Sequence, residues 1–324
     1  MNKKLIAIAV ASVMAAPVAM ADIKISGRVG LDFTSKSSDN TAVEDSLALS
    51  DSGHTRLQFD GTMGNAYARI ALDERYARDQ TDANAVKRDN YLGYKWGSTS
   101  LQAGRMGGAA KNIEKDPYIG TFLETRSTVA NSYTGGGYGS SSFINDVVQL
   151  AMKAGSAKIK IQFGPTDKAN SNNGHIGASV AGKAGAVNYW ASYNNGSADG
   201  NGSLTSYPSQ SNIKAGGAMK FGKVKVSLNY TSMDKDGAVG ANNATDSIFI
   251  DANMGFGNGL SGNLGYGTRS GDVAADDAEF IRLAVMKKIN KGTSVYGGYT
   301  TTDYDAASAS FDTDEFGVGM VVKF

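Results

Sequence analysis

Arg28 and Arg56 carry fixed positive charge on the polar side of segments that alternate apolar and polar residues. Ile23, Ile25, Val29, Leu31 and Phe33 oppose Lys24, Ser26, Arg28 and Asp32. Side-chain direction alternates along an extended chain, so each set shares one face. A second group of charges, Lys111, Glu114, Lys115, Asp116, Glu124 and Arg126, is gathered in the stretch Met106–Asn145. Opposed rows of fixed charge sort ions by sign; they do not break bonds.

Bond-breaking chemistry lacks its usual reagents here. His54 and His175 are the only histidines, and neither stands beside a nucleophile signature. They are also too few for a histidine-built metal site, and the absence of cysteine removes disulfides, thiolate chemistry and sulfur-ligated metals. No phosphate-binding glycine motif precedes a helix, and the acidic stretch 272–277 lacks the calcium-loop pattern. The reading is therefore of a non-enzyme with no catalytic residue, metal or cofactor. Removing Lys3 and Lys4 with an amino-terminal signal leaves 30 of the 32 basic residues against 31 acidic ones. That balance gives no bias towards nucleic acid.

The elements that would hold the charges are strands. Val224, Val226, Leu228 and Tyr230 oppose Lys223, Lys225, Ser227 and Asn229, and Ile159, Ile161 and Phe163 oppose Lys158, Lys160 and Gln162. Such period-two runs recur along the chain with no sustained helical period, which makes it all-β. Short glycine or small-residue connections, near residues 61–64, 97–98, 154–156, 184–185, 221–222, 257–259 and 290–292, alternate with eight long ones. About 16 strands result, an even number with tight turns at one rim and long loops at the other, as in a transmembrane antiparallel β-barrel.

The two ends agree with that compartment. Residues 1–21 read as a secretory signal peptide: Lys3 and Lys4, an apolar run from Leu5 to Ala16, and Ala19-Met20-Ala21 before Asp22. Residues 22–324 then form the barrel, with no later run suited to a membrane helix. The last residues put Phe316, Val318, Met320, Val322 and Phe324 on one face, as a strand facing lipid would. Mean hydropathy is below zero, as expected when only alternate residues touch lipid.

A barrel of about 16 strands leaves an aqueous channel that its wall side chains do not fill. The longest connection, 106–145, is the candidate constriction loop, the long third loop folding inward rather than lying outside as a flap. Arg28 and Arg56 should face water, because an outward charge near the bilayer midplane costs about 2–4 kcal/mol. Lys158, Lys160, Lys223, Lys225 and Arg282 read as charges that keep a wet wall hydrated. Arg105 shares parity with Leu101 and Ala103, so it points inward only if a bend or bulge follows Gly104.

The chain resembles the general diffusion porins of Gram-negative bacteria. The resemblance lies in Gly27-Arg28, the segment from His54 through Arg56 to Gly61, the segment from Arg88 through Tyr91 to Gly93, and Trp96-Gly97 leading to Gly104-Arg105. The segment from Lys287 to Tyr296 and the terminal Phe324 complete the order. Gln58 and Asp60 depart from the usual glycine and lysine, and the loop lacks the familiar Pro-Glu-Phe-Gly-Gly segment. The resemblance implies a homotrimeric outer-membrane channel for small hydrophilic solutes and ions. Arg28, Arg56 and Arg88 match the basic wall of its constriction, Arg105 ends the Gly-Arg signal and joins them only with the bend or bulge after Gly104, and Glu114, Asp116 and Glu124 match the acidic loop by membership alone. It also implies that the strand ending in Phe324 is the signal read by the outer-membrane assembly machinery; the second long loop, residues 73–87, lies where such porins latch onto a neighbour, although as a charge run it reads by default as a solvated loop. Two alternatives stay open: a surface barrel for adhesion or anchoring, with its Ser-, Asn- and Gly-rich loops as the working part, and a substrate-specific channel.

Overall fold

In the computed structural model, residues 22–39, 45–50, 55–74, 86–111, 113, 116–118, 120–124, 143–167, 172–196, 209–236, 244–271, 277–305 and 312–324 are described. The expected signal segment 1–21, His54, Glu114, Lys115, Arg126 and most of the second long loop lie outside them.

The alternating segments become strands β1 (Asp22–Ser38), β2 (Ser46–Ser50), β3 (Thr55–Met63), β4 (Ala66–Glu74), β5 (Val86–Trp96), β6 (Thr99–Gly107), β7 (Phe143–Ala154), β8 (Ala157–Asp167) and β9 (Asn172–Ala184). They continue as β10 (Val187–Gly196), β11 (Ser209–Phe221), β12 (Val224–Asp236), β13 (Thr245–Gly257), β14 (Leu260–Gly271), β15 (Ala278–Lys288), β16 (Thr293–Tyr304) and β17 (Thr313–Lys323). Each strand from β3 onwards pairs antiparallel with the next, and β17 returns to β1. Both β2 and β3 pair with β1, at Asp32–Lys36 and at Asp22–Arg28 respectively. They form one interrupted stave, so 17 segments make the closed, 16-stave antiparallel barrel that the alternation predicts. Closure leaves no free sheet edge.

The first of the eight long connections is expected over residues 34–50. Instead β1 runs on to Ser38 and β2 occupies Ser46–Ser50. Thr34-Ser-Lys-Ser-Ser38 is polar on both faces, so the period that marks a strand is lost there although the ladder continues.

The seven tight turns fall where the glycines suggest. Gly64, Gly97, Gly155, Gly185 and Gly222 each open a two-residue turn at φ between 56° and 58°, the first-position conformation that type II′ hairpins require. At the closing seam, Gly27 N–H donates to the Phe324 carbonyl at 2.9 Å and Phe324 N–H donates back at 3.1 Å. A Cβ on Gly27 would run into the Phe324 ring, so the missing side chain is the seat for that aromatic.

Burial is inverted relative to a water-soluble sheet. Leu228, Ile248, Leu264, Leu283 and Val318 are about half exposed on the outer face, whereas Asn212, Ser227, Asn229, Ser247, Asn263 and Arg282 are buried on the inner one. This is the arrangement that lipid outside and water inside dictate.

Candidate functional site

Six cations gather around one part of the inner wall. Arg28, Arg56, Arg69, Arg88 and Lys160 project from β1, β3, β4, β5 and β8 into one cavity of about 510 Å³, and Lys111 joins them from the long connection after β6. Asp89 is the one carboxylate among the residues lining it. Arg28 and Arg56 stand directly opposite each other in the β1–β3 register. Like charges so placed destabilise a sheet, so the pair marks a position where charge serves something other than stability.

Asp60, where the sequence departs from the usual pattern, has a partner. Its carboxylate accepts from Arg69 Nε at 2.6 Å and from Gln58 Nε2 at 2.6 Å. Arg69 thus has a carboxylate held against it, at 2.6 Å.

Arg105 reaches this region because the strand is bulged. The β6–β7 register shifts between Gly104 and Met106, with Gly104 at φ 134°, and the alternation reverses. Arg105 then donates to Asn145 Oδ1 at 2.6 Å, and its guanidinium lies 5.8 Å from the centroid of the Phe143 ring. That ring lines the basic cavity.

Beside the cations runs a ladder of amides. Gln149 donates to Gln102, Gln162 donates to Gln149 at 2.9 Å and to the Gly107 carbonyl at 2.9 Å, and His175 Nε2 lies 3.2 Å from Gln162 Oε1. Four neighbouring strands, β6 to β9, are linked through their inner faces, and the base of the long connection is tied to them. His175 is accordingly a wall residue within this ladder.

The described residues further along the connection meet the opposite wall. Tyr118 and Leu123 are fully buried against Phe249, Phe280 and Ala284, and Phe122 stacks on Tyr296 with centroids 6.4 Å apart. Gly298 makes room, since a Cβ there would strike Leu123. Two hydrogen bonds lock the contact: Tyr118 Oη donates to the Arg282 carbonyl at 3.2 Å, and Arg282 donates to the Leu123 carbonyl at 2.5 Å. Desolvation pushes the Tyr118 hydroxyl pKa up, which keeps it in the donating form.

The two described acidic residues of this segment lie apart from the basic cavity. Asp116 accepts from Tyr118 N–H at 2.8 Å, Glu124 accepts from Gly120 N–H at 3.1 Å, and both hold the segment's own turns. Glu124 also lines a second cavity, of about 210 Å³, with Lys36, Arg269, Arg282 and Glu315. Arg28, Arg56 and Arg88 are therefore brought together, Arg105 sits at their edge, and Asp116 and Glu124 line neither the same cavity nor the same wall. Parity alone could have flagged Arg69, which alternates with Ile70 and Leu72; nothing in the sequence set Lys111 apart from the other loop charges or marked Phe143. Among the described residues no group of three or more His, Asp or Glu is placed to hold a metal.

Known proteins place the fold. The family model described as Gram-negative porin matches residues 7–307. No curated relative matches the chain. Among solved structures, an anion-selective porin from Comamonas acidovorans superimposes with a TM-score of 0.75 at 18% identity, covering 94% of this chain and 100% of that one. OmpF of Salmonella typhi, in complex with daunomycin, gives 0.71 at 16% identity, over 93% and 97%. The trimer form of OmpT from Vibrio cholerae gives 0.63 at 14% identity, over 94% and 99%.

Proposed function

The chain belongs to the Gram-negative porin family and is an outer-membrane diffusion channel, and we propose that it is a passive, anion-preferring one for small hydrophilic solutes. The observation that carries the preference is the clustering of Arg28, Arg56, Arg69, Arg88, Lys111 and Lys160 around one cavity with Asp89. A cluster of one sign of charge in a narrow wet passage raises the local concentration of the opposite ion. The described loop acids, Asp116 and Glu124, accept from backbone N–H groups of the loop and do not line the basic cavity.

The connection after β6 narrows the lumen in this reading, because its base is tied to Gln162 and its residues 118–123 rest on the far wall. Three copies assemble, as in the trimeric OmpT form that shares the fold. The segment 1–21 directs export, the strand ending in Phe324 is recognised during barrel assembly, and the protein carries out no catalysis.

Purified protein in a planar bilayer tests this. Stepwise, ohmic current increments that close in groups of three support a trimeric diffusion pore. A folded barrel that stays silent contradicts it and favours the adhesion or anchoring role. Saturable block by a single solute class would mark a substrate-specific channel instead.

A further inference from the structure

Three cations approach one aromatic ring at the edge of the basic cavity. The Lys111 ammonium lies 4.3 Å from the Phe143 centroid, the Arg88 guanidinium 4.7 Å and the Arg105 guanidinium 5.8 Å. They come from three elements: the long connection, β5 and β6. Phe143 opens β7 at the far end of that same connection.

Groups of like charge repel, and a wall that must stay basic needs something to hold them together. A carboxylate would do so by cancelling charge, as Asp60 does for Arg69 at 2.6 Å. An aromatic ring attracts cations through its quadrupole and adds no net charge. We propose that Phe143 is a positioning residue that gathers Arg88, Arg105 and Lys111, and that this gathering sets how strongly the channel prefers anions. The proposal rests on the anion-preferring reading above.

The Lys111–Phe143 contact also brings the start and the exit of the connection together. Lys111 N–H is bonded to the Gly108 carbonyl at 2.8 Å near its start, and Phe143 stands at its exit. Loss of the ring removes the aromatic contact that Lys111 shares with Arg88 of β5 and Arg105 of β6, while leaving the apolar latch at Tyr118 and Leu123 untouched.

The test is the reversal potential in a potassium chloride gradient for Phe143→Leu and Phe143→Tyr, each confirmed as a folded barrel by heat-dependent gel mobility. Leucine keeps apolar bulk and removes the π-system; tyrosine keeps both. The chloride-to-potassium permeability ratio is expected to fall about twofold or more in Phe143→Leu and to stay at the wild-type value in Phe143→Tyr. Lys111→Gln should lower the ratio in the wild type and add little in the Phe143→Leu background. Phe143→Met stands in, with the same expectation, if the leucine variant does not fold. A chloride-preferring wild type whose ratio is unchanged by Phe143→Leu, or full additivity with Lys111→Gln, overturns this proposal alone. A wild type without chloride preference overturns the anion reading and this proposal with it.

Discussion

Arg56 illustrates how one residue carries several scales of argument. Its strand parity turns it to water, its register sets it opposite Arg28, and its cavity adds Arg69, Arg88, Lys111 and Lys160. A unit charge about 6 Å from a passing ion in water changes that ion's local concentration on the order of threefold, before screening by salt. Arg56→Glu and Arg88→Glu should therefore each move the permeability ratio severalfold towards potassium, with normal assembly. Reversal potentials that match the wild type would remove both residues from the ion path. Parity made Arg28 and Arg56 legible in the sequence, because lipid forbids charge on the other face. It did not separate Lys160, which lines the basic cavity, or Arg282, which binds the loop tip, from charges that merely wet the wall. Alternation reports which face a side chain takes and says nothing about its height in the barrel or what stands across the lumen.

The elements divide along the same line. Strands and tight turns were legible because each rests on a local rule: period two for the staves, glycine at positive φ for the hairpins. Beyond the lipid zone the outward face no longer has to be apolar, so the polar end of β1 escaped that rule; β2 keeps the alternation in Leu47 and Leu49 but is only five residues long. The loop tip was invisible for a different reason. Its apolar seat is assembled from Phe249, Phe280 and Ala284 on two strands together with the gap at Gly298, and Leu123 meets them across more than 100 residues of chain. Truncating a buried leucine of this kind costs about 2–5 kcal/mol, and filling the gap should be comparably disruptive. Gly298→Val is thus expected to unseat the tip and produce closures at voltages where the wild-type current is steady. Its β-sheet circular dichroism should be unchanged. Steady single-channel current in that variant would show that the latch does not control the opening.

At the scale of the whole molecule, near-neutral composition conceals a sharp internal asymmetry. The chain has 32 basic and 31 acidic residues, yet six of the basic ones line one wall cavity with Asp89, while the described loop acids accept from the loop's own backbone N–H groups. Two cavities of unlike charge result: one dominated by arginine and lysine, the other mixing Lys36, Arg269 and Arg282 with Glu124 and Glu315. Overall composition could not have revealed this, because it sums over surfaces that the barrel keeps apart. The central claim is that the basic cavity governs what passes. The most direct measurement is the zero-current potential of the wild-type channel across a tenfold potassium chloride gradient in a planar bilayer. The account predicts a potential displaced towards the chloride equilibrium value, and a potential at zero or displaced towards potassium would contradict it.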